Sequence, residues 1–243
     1  MKKSLSLVLV LVLLFSAFLG AVSFAEDGAE LVISYANLEF ANSVHIWFAV
    51  DYSAFDSYEG IKLKVTNNAT GEVTTLSPSL NISTPEGCIG FKYTKLFFKN
   101  MGDELTLQAY KDGEPSGKAK TYSTLEYALR AEAQNDERLT ALMHSMLPLG
   151  KNAQIAFNHT GTYDLSKSYS LVNLDGGAVV NGKEKVIVPI GSELTATKAG
   201  ADGSYVWLNA DGEELGRGAS LVFTADAPYL TVSCAPASTE NQS

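Results

Sequence analysis

SVHIWFAVDY, residues Ser43 to Tyr52, alternates without a break, and that alternation decides the class of the fold. Val44, Ile46, Phe48 and Val50 fall on one side of an extended chain, and His45, Trp47 and Ala49 fall on the other. A period of two marks a strand with one face in a core and the other in water. The same period recurs further along. IKLKV places Ile61, Leu63 and Val65 inside, with Lys62 and Lys64 in water. DELTLQAY buries Leu105, Leu107 and Ala109 and turns Thr106 and Gln108 outward. Between the runs, Asn67-Asn68-Ala69-Thr70-Gly71 and Lys111-Asp112-Gly113 read as hairpin turns, because Asn, Asp and Gly tolerate positive φ. Strands at this spacing predict an immunoglobulin-like β-sandwich over residues 26–122.

At Ser123 the period changes. Ser123 and Glu126 form an S-x-x-E capping box, and Leu125, Ala128 and Leu129 follow at helical spacing. Asn135 is placed to cap a second helix, with Asp136 and Glu137 in its positive first turn. Leu139, Leu142, Met143, Met146 and Leu147 make one apolar stripe. Pro148 lacks an amide proton and predicts a kink, beyond which Ala153 and Phe157 resume the stripe. Residues 123–157 therefore read as a helical hairpin packed on the sandwich as a brace. The polar stretch 158–167, NHTGTYDLSK, reads as a linker. Strands return over residues 168–235, where Val179–Lys183 and Asn209–Glu213 signal further hairpins. This length suffices for a small β module with one core. Residues 236–243 read as a disordered tail.

The start of the chain has the form of a signal peptide over residues 1–25. Lys2 and Lys3 precede an apolar run from Leu5 to Leu19, and Ser23-Phe24-Ala25 supplies small residues for cleavage after Ala25. The short Lys-Lys leader reads as bacterial, so the acceptor sequences at Asn68, Asn81 and Asn158 read as incidental. The predicted product is secreted or held at the cell wall, with no membrane insertion after cleavage. Its charge weighs against nucleic acid as a partner. The whole chain carries 18 basic and 27 acidic residues, a net charge of −9. Loss of Lys2 and Lys3 leaves 16 basic against 27 acidic, or −11. Such a balance repels nucleic acid and anionic lipid, and no basic stripe is interleaved with aromatics. Two cysteines, Cys88 and Cys234, allow a disulfide outside the cell without requiring one. Cys234 shares a strand face with Leu230 and Val232 and reads as a small buried apolar residue.

Two resemblances add to this reading. Gly102-Asp103-Glu104-Leu105-Thr106, Tyr122-Ser123 with Tyr127-Ala128, and Leu147, Gly150, Ala153-Gln154 and Phe157 resemble a module of exported Firmicutes surface proteins. That resemblance spans roughly residues 31–158. Pro148-Leu149 and Lys151-Asn152 depart from its pattern. It implies a β-sandwich with a helical hairpin in wall-associated and carbohydrate-active proteins, and no activity of its own. The last block is similar to the internalin B-repeat (Listeria–Bacteroides) type of bacterial repeat. The matching residues are Gly176-Gly177-Ala178-Val179, Pro189-Ile190-Gly191, Leu194-Thr195, Tyr205-Val206-Trp207, Asp211-Gly212, Leu221-Val222-Phe223-Thr224 and Leu230-Thr231-Val232, with Val206 where the pattern has Gly. This implies a β-grasp-like spacer or adhesion module with Trp207 in its core. The fold class expected is thus mainly β: a sandwich plus two helices, then a small β-grasp-like repeat.

Reactive groups are sparse. His45, His144 and His159 are the three histidines. No carboxylate or cysteine pair stands beside them at ligand spacing, and His159 falls in the expected linker. No G-x-S-x-G elbow, phosphate loop or EF-hand pattern occurs. No catalytic residue, cofactor or metal is assigned. The most suggestive stretch is DYSAFDSYEG, Asp51 to Gly60. Tyr52, Phe55 and Tyr58, together with Trp47, are the candidate ligand-binding residues: with Asp51, Asp56 and Glu59 the stretch reads as an aromatic and acidic loop that stacks on a sugar or holds a calcium ion. The plainer reading gives these rings to the core. The expectation is an exported, non-enzymatic surface or interaction protein whose partner is a wall or extracellular glycan or protein. The alternatives are a carbohydrate-binding accessory protein and a hydrolase with an unrecognised site.

Overall fold

The computed structural model describes residues 29–40, 44–79, 84–134 and 137–237. The expected leader, the Asn135 cap, the Asn81 sequon and residues 238–243 lie outside the described residues. The chain is mainly β with a helical hairpin. It divides into two compact units that are interleaved along the sequence. The first runs to Thr124 and adds Leu149–Asp164; the second takes Leu125–Pro148 and everything from Leu165.

The first unit contains strands β1 (Val32–Phe40), β2 (Val44–Asp51), β3 (Ile61–Asn67), β4 (Val73–Leu76), β5 (Cys88–Tyr93), β6 (Glu104–Lys111), β7 (Glu114–Pro115) and β8 (Lys120–Ser123). They form two antiparallel sheets. One has the order β1-β2-β5; the other has β4-β3-β6-β7, with β8 also paired to β6. The alternating residues meet between the sheets as their period requires. Ile46, Phe48, Val50 and Phe91 from one, and Leu63, Val65, Leu107 and Ala109 from the other, are all buried. The Phe48 ring meets the edge of Tyr122 at 5.8 Å and 90°, a geometry that the ring quadrupoles favour. Turn chemistry follows the sequence. Asp112 (φ 51°) and Gly113 (φ 93°) make the tight β6–β7 connection, with both residues in the left-handed region that such turns need. Asn67 Oδ1 accepts the amides of Ala69 (2.9 Å) and Thr70 (3.1 Å) and closes the β3–β4 turn.

The second unit holds α1 (Thr124–Ala133) from Leu125 onward, the first part of α2 (Glu137–Ala156), and β9 (Tyr169–Asp175), β10 (Ala178–Val179), β11 (Lys185–Pro189), β12 (Ser192–Lys198), β13 (Tyr205–Leu208), β14 (Glu214–Arg217), β15 (Ser220–Ala225) and β16 (Tyr229–Pro236). One sheet has the order β11-β9-β16-β13-β14 and the other β10-β12-β15. β16 runs parallel to β9, while the other pairings are antiparallel. Trp207 is fully buried among Val172, Leu174, Val180, Leu221 and Val232, and its indole N–H donates to the Gly218 carbonyl at 2.9 Å. A buried polar knot ties α1 to this unit. Glu126, 5% exposed, accepts from Lys185 Nζ at 2.7 Å and from Arg130 Nε at 3.0 Å. An almost dry carboxylate is tolerable because two cations face it.

Several boundaries differ from the sequence expectation. The helical residues Leu125–Pro148, expected against the sandwich, group with the second unit. α2 carries Pro148 inside it. Beyond that proline Ala153 is half-buried, but Phe157 stands 70% exposed instead of continuing a buried stripe. Part of the expected linker is anchored: residues up to Asp164 belong to the first unit, where Tyr163 N–H donates to Gly102 O at 2.7 Å. Pro236, expected to open the tail, is the last residue of β16, and Ala237 N–H donates to Ser204 O at 2.7 Å.

Candidate functional site

A β-bulge between Ile33 and Tyr35 sets the site. Before the bulge Leu31 and Ile33 are buried; after it the inward position passes to Leu38. The extra residue shifts the alternation by one, as bulges do. Tyr35, Asn37 and Glu39 are then partnered by Ala49, Trp47 and His45 on β2. On the far side Trp47 pairs with Lys92 and Ala49 with Gly90 of β5. The side of the β1-β2-β5 sheet away from the core thus carries two half-buried aromatic residues, Tyr35 beside the buried Ala49 and Gly90, and Trp47 among polar residues.

Glu39 is the hub of this face. Its Oε2 accepts from Trp47 Nε1 at 2.8 Å and Lys92 Nζ at 2.7 Å, and pairs with His45 Nδ1 at 3.3 Å. The Lys92 ammonium also lies 4.6 Å from the centre of the Trp47 ring, within cation–π range. Partial burial pushes the Glu39 carboxyl upward, but the hydrogen bonds from Lys92, Trp47 and His45 outweigh it and hold the group below the usual carboxylate range. The indole is therefore fixed in orientation by a charge-assisted bond. At the other end of the face, burial and the neighbouring Cys88 push the Tyr35 hydroxyl upward. The Cys88 Sγ lies 3.7 Å from Ser34 Oγ; burial raises this thiol despite that contact. Cys88 and Cys234 are both free thiols.

The second candidate is the β2–β3 loop. Tyr52 and Tyr58 meet edge to face at 5.9 Å and 73°. Phe55 is half-buried, with the Lys111 ammonium 5.9 Å from its ring centre. The same ammonium donates to the backbone carbonyls of Ser57 (3.4 Å) and Glu59. Asp51 Oδ1 accepts the Ser53 amide at 2.8 Å, and Tyr52 N–H reaches Gly87 O at 2.8 Å. The loop is thus closed by its own polar groups. Tyr58 is 37% exposed and Tyr52 is half-buried. Trp47 stands apart from this loop. Tyr52 lies five positions further along, roughly 16 Å at the rise of an extended chain.

A third polar group lies inside the first unit. Asp103 is buried and accepts from Asn67 Nδ2 (2.7 Å) and Asn100 Nδ2 (2.8 Å), while His159 Nε2 lies 2.8 Å from its other oxygen. His159, expected in a linker, is instead mostly buried against this carboxylate. Its role is to fasten residues 158–164 to the sandwich: His159 N–H also donates to Gln154 O at 2.9 Å, and Tyr163 OH to Glu104 Oε2 at 3.0 Å. Burial, with Glu72 and Asp103 nearby, pushes the Tyr93 hydroxyl up to about 12. Among the described residues, no three His, Cys, Asp or Glu side chains are placed to hold a metal ion. No described helix is long and apolar enough to cross a membrane.

The sequence reading named Trp47 but missed Tyr35, Asn37, Glu39 and Lys92. The alternation of Asn37 and Glu39 was available in YANLEF, but the bulge and the strand pairing that bring them beside Trp47 were not. Compared with family models, curated proteins and solved structures, the chain matches none of them.

Proposed function

We propose that this chain is an exported, non-enzymatic interaction protein of a bacterial surface, and that it binds through the outer face of the β1-β2-β5 sheet. The observation that carries the reading is the Glu39 cluster. An indole is locked in place by an ionised carboxylate, with a lysine and a histidine on the same oxygen. Orientation fixed before binding lowers the entropic cost of recognition. The mixture of an aromatic surface with charged and amide groups fits a polar, ring-bearing ligand, and a wall or extracellular glycan is the ligand class it fits best. The two motif resemblances and the signal-like leader support the surface setting.

The test is binding of the purified protein to insoluble cell-wall polymer and to polysaccharide beads. Trp47→Ala is expected to weaken retention roughly ten-fold or more, as loss of a central aromatic anchor does, with little change in melting temperature. Equal retention of the variant and the parent, or no retention of either on any glycan, would refute the assignment.

A second reading is favoured by the Tyr52–Tyr58 pair, whose 5.9 Å contact keeps two rings at one loop. In that case Tyr52→Ala and Tyr58→Ala, not Trp47→Ala, abolish glycan retention.

A further inference from the structure

Three phenylalanines of the first unit are displayed in water. Phe97 is 62% exposed, Phe98 47% and Phe157 70%. Phe97 and Phe98 open a 3₁₀ turn whose following residues, Asn100 and Met101, are buried. Phe157 lies one residue beyond the end of α2. The two sites are neighbours, because the ammonium of Lys99, next in the chain to Phe98, lies 6.0 Å from the Phe157 ring centre. Large apolar groups grouped in this way mark an interaction surface. Their packing does not explain their position, since the turn is anchored by Asn100 and the helix end by Gln154 and His159.

The segments that carry the rings lack acidic residues, although Asp103 and Glu104 follow the first directly and Asp164 the second. The chain carries 27 acidic residues, yet residues 91–102 and 149–163 contain none. The same two segments carry Lys92, Lys95, Lys99 and Lys151. Lys92 serves Glu39 and Lys95 serves Glu72, both outside these segments. Lys99 stands at the Phe157 ring. The partner must therefore be apolar and anionic together. Its shape is also constrained. A groove covers its lining, whereas these rings project with about half or more of their surface in water. Projecting rings fit a soft apolar phase into which they dip.

We propose that Phe97, Phe98 and Phe157, with Lys99, form a peripheral docking patch for a bilayer surface bearing anionic lipid. The rings enter the boundary of headgroup and acyl chain, and the lysine meets the headgroup phosphates. The net negative charge of the chain opposes approach, but at physiological salt the screening length is about 8 Å, so the local patch decides at contact. Among the described residues no helix is long and apolar enough to cross a bilayer, and the proposed binding is reversible. The patch does not depend on the glycan face.

The test is co-sedimentation of the full mature chain with phosphatidylcholine vesicles containing about one-quarter phosphatidylglycerol, an anionic fraction that recruits surface lysines. Sedimentation with these vesicles is expected, weaker in high salt. It should fall roughly ten-fold in the double variant Phe97→Ser/Phe157→Ser and in Lys99→Glu, since both apolar area and charge contribute. These positions are at the surface, so melting temperatures should hold. Trp47→Ala should sediment like the parent, which separates this patch from the glycan face. Failure to sediment with anionic vesicles, or equal sedimentation of the patch variants, would overturn the proposal. So would self-association of the parent that the double variant abolishes, since that would assign the patch to a second copy.

Discussion

Glu39 shows how one residue organises a surface. Three donors converge on a single carboxylate oxygen, and each hydrogen bond favours the ionised form. Its carboxyl is lowered in the folded chain, so the associated stability is present above the unfolded value and is lost as pH falls through the folded one. In Glu39→Gln the indole of Trp47 and the ammonium of Lys92 lose their ionised partner. Because the carboxylate is partly exposed and water screens it, the cost to stability is expected to be only about 1 kcal/mol. The informative readout is the Trp47 indole N–H resonance. It should titrate below the usual carboxylate range in the parent and be pH-independent in Glu39→Gln; titration in both would mean that another group sets the indole environment. Trp207 is an internal control, since its N–H is committed to the Gly218 carbonyl. The sequence announced one of these tryptophans better than the other. Trp207 sits on a strand in a repeat-like pattern, and its burial followed. Trp47 was legible only as an outward-facing aromatic, because its partners lie eight residues upstream and 45 downstream and meet it through sheet pairing.

At the scale of elements, the alternating strands were legible because period and turn chemistry agree locally. Asp112-Gly113 and Asn181-Gly182 adopt the positive φ values that their types permit. The segment after α2 was not legible. Residues 158–164 are polar, and polarity is the ordinary mark of a linker, but here His159 turns inward to the buried carboxylate of Asp103. Gly161 is part of that fit. A Cβ there would lie 2.6 Å from Gln154 Nε2 and 2.9 Å from Asp103 Oδ1. Gly161→Ala is therefore expected to lower the stability of the first unit by about 1–3 kcal/mol, the usual range for overpacking. A denaturant melt that leaves the midpoint unchanged would show that the segment is loosely attached. The helices were legible as helices from their caps and stripe, but the stripe alone does not say which sheet covers it. Leu139, Met143 and Met146 are buried as the stripe requires, in the part of the hairpin that groups with the second unit.

Across the whole molecule, the two units exchange chain twice, at residues 124 and 125 and again at 148 and 149, before the last division after Asp164. A linear reading places one boundary after the sandwich and one after the helices, and misses this interleaving. It has a consequence for truncation. A chain ending at Asp164 keeps every residue of the first unit but removes the strands that group with Leu125–Pro148. Such a chain should bind a hydrophobic dye strongly through the uncovered Leu139, Met143 and Met146, as exposed core surface does. Dye binding no greater than that of the full chain would contradict the division. The interaction role is a claim about the first unit, where the Glu39 cluster, the Tyr52–Tyr58 loop and the exposed phenylalanines all lie. The most direct measurement is a titration of the ¹⁵N-labelled chain with soluble fragments of bacterial cell wall, following the amide and indole resonances. The account predicts saturable shifts of the Trp47 indole N–H and of the amides of Asn37, Glu39 and Lys92, with the Trp207 indole unmoved. Saturable shifts confined to other surfaces, or no shifts at all, would contradict it.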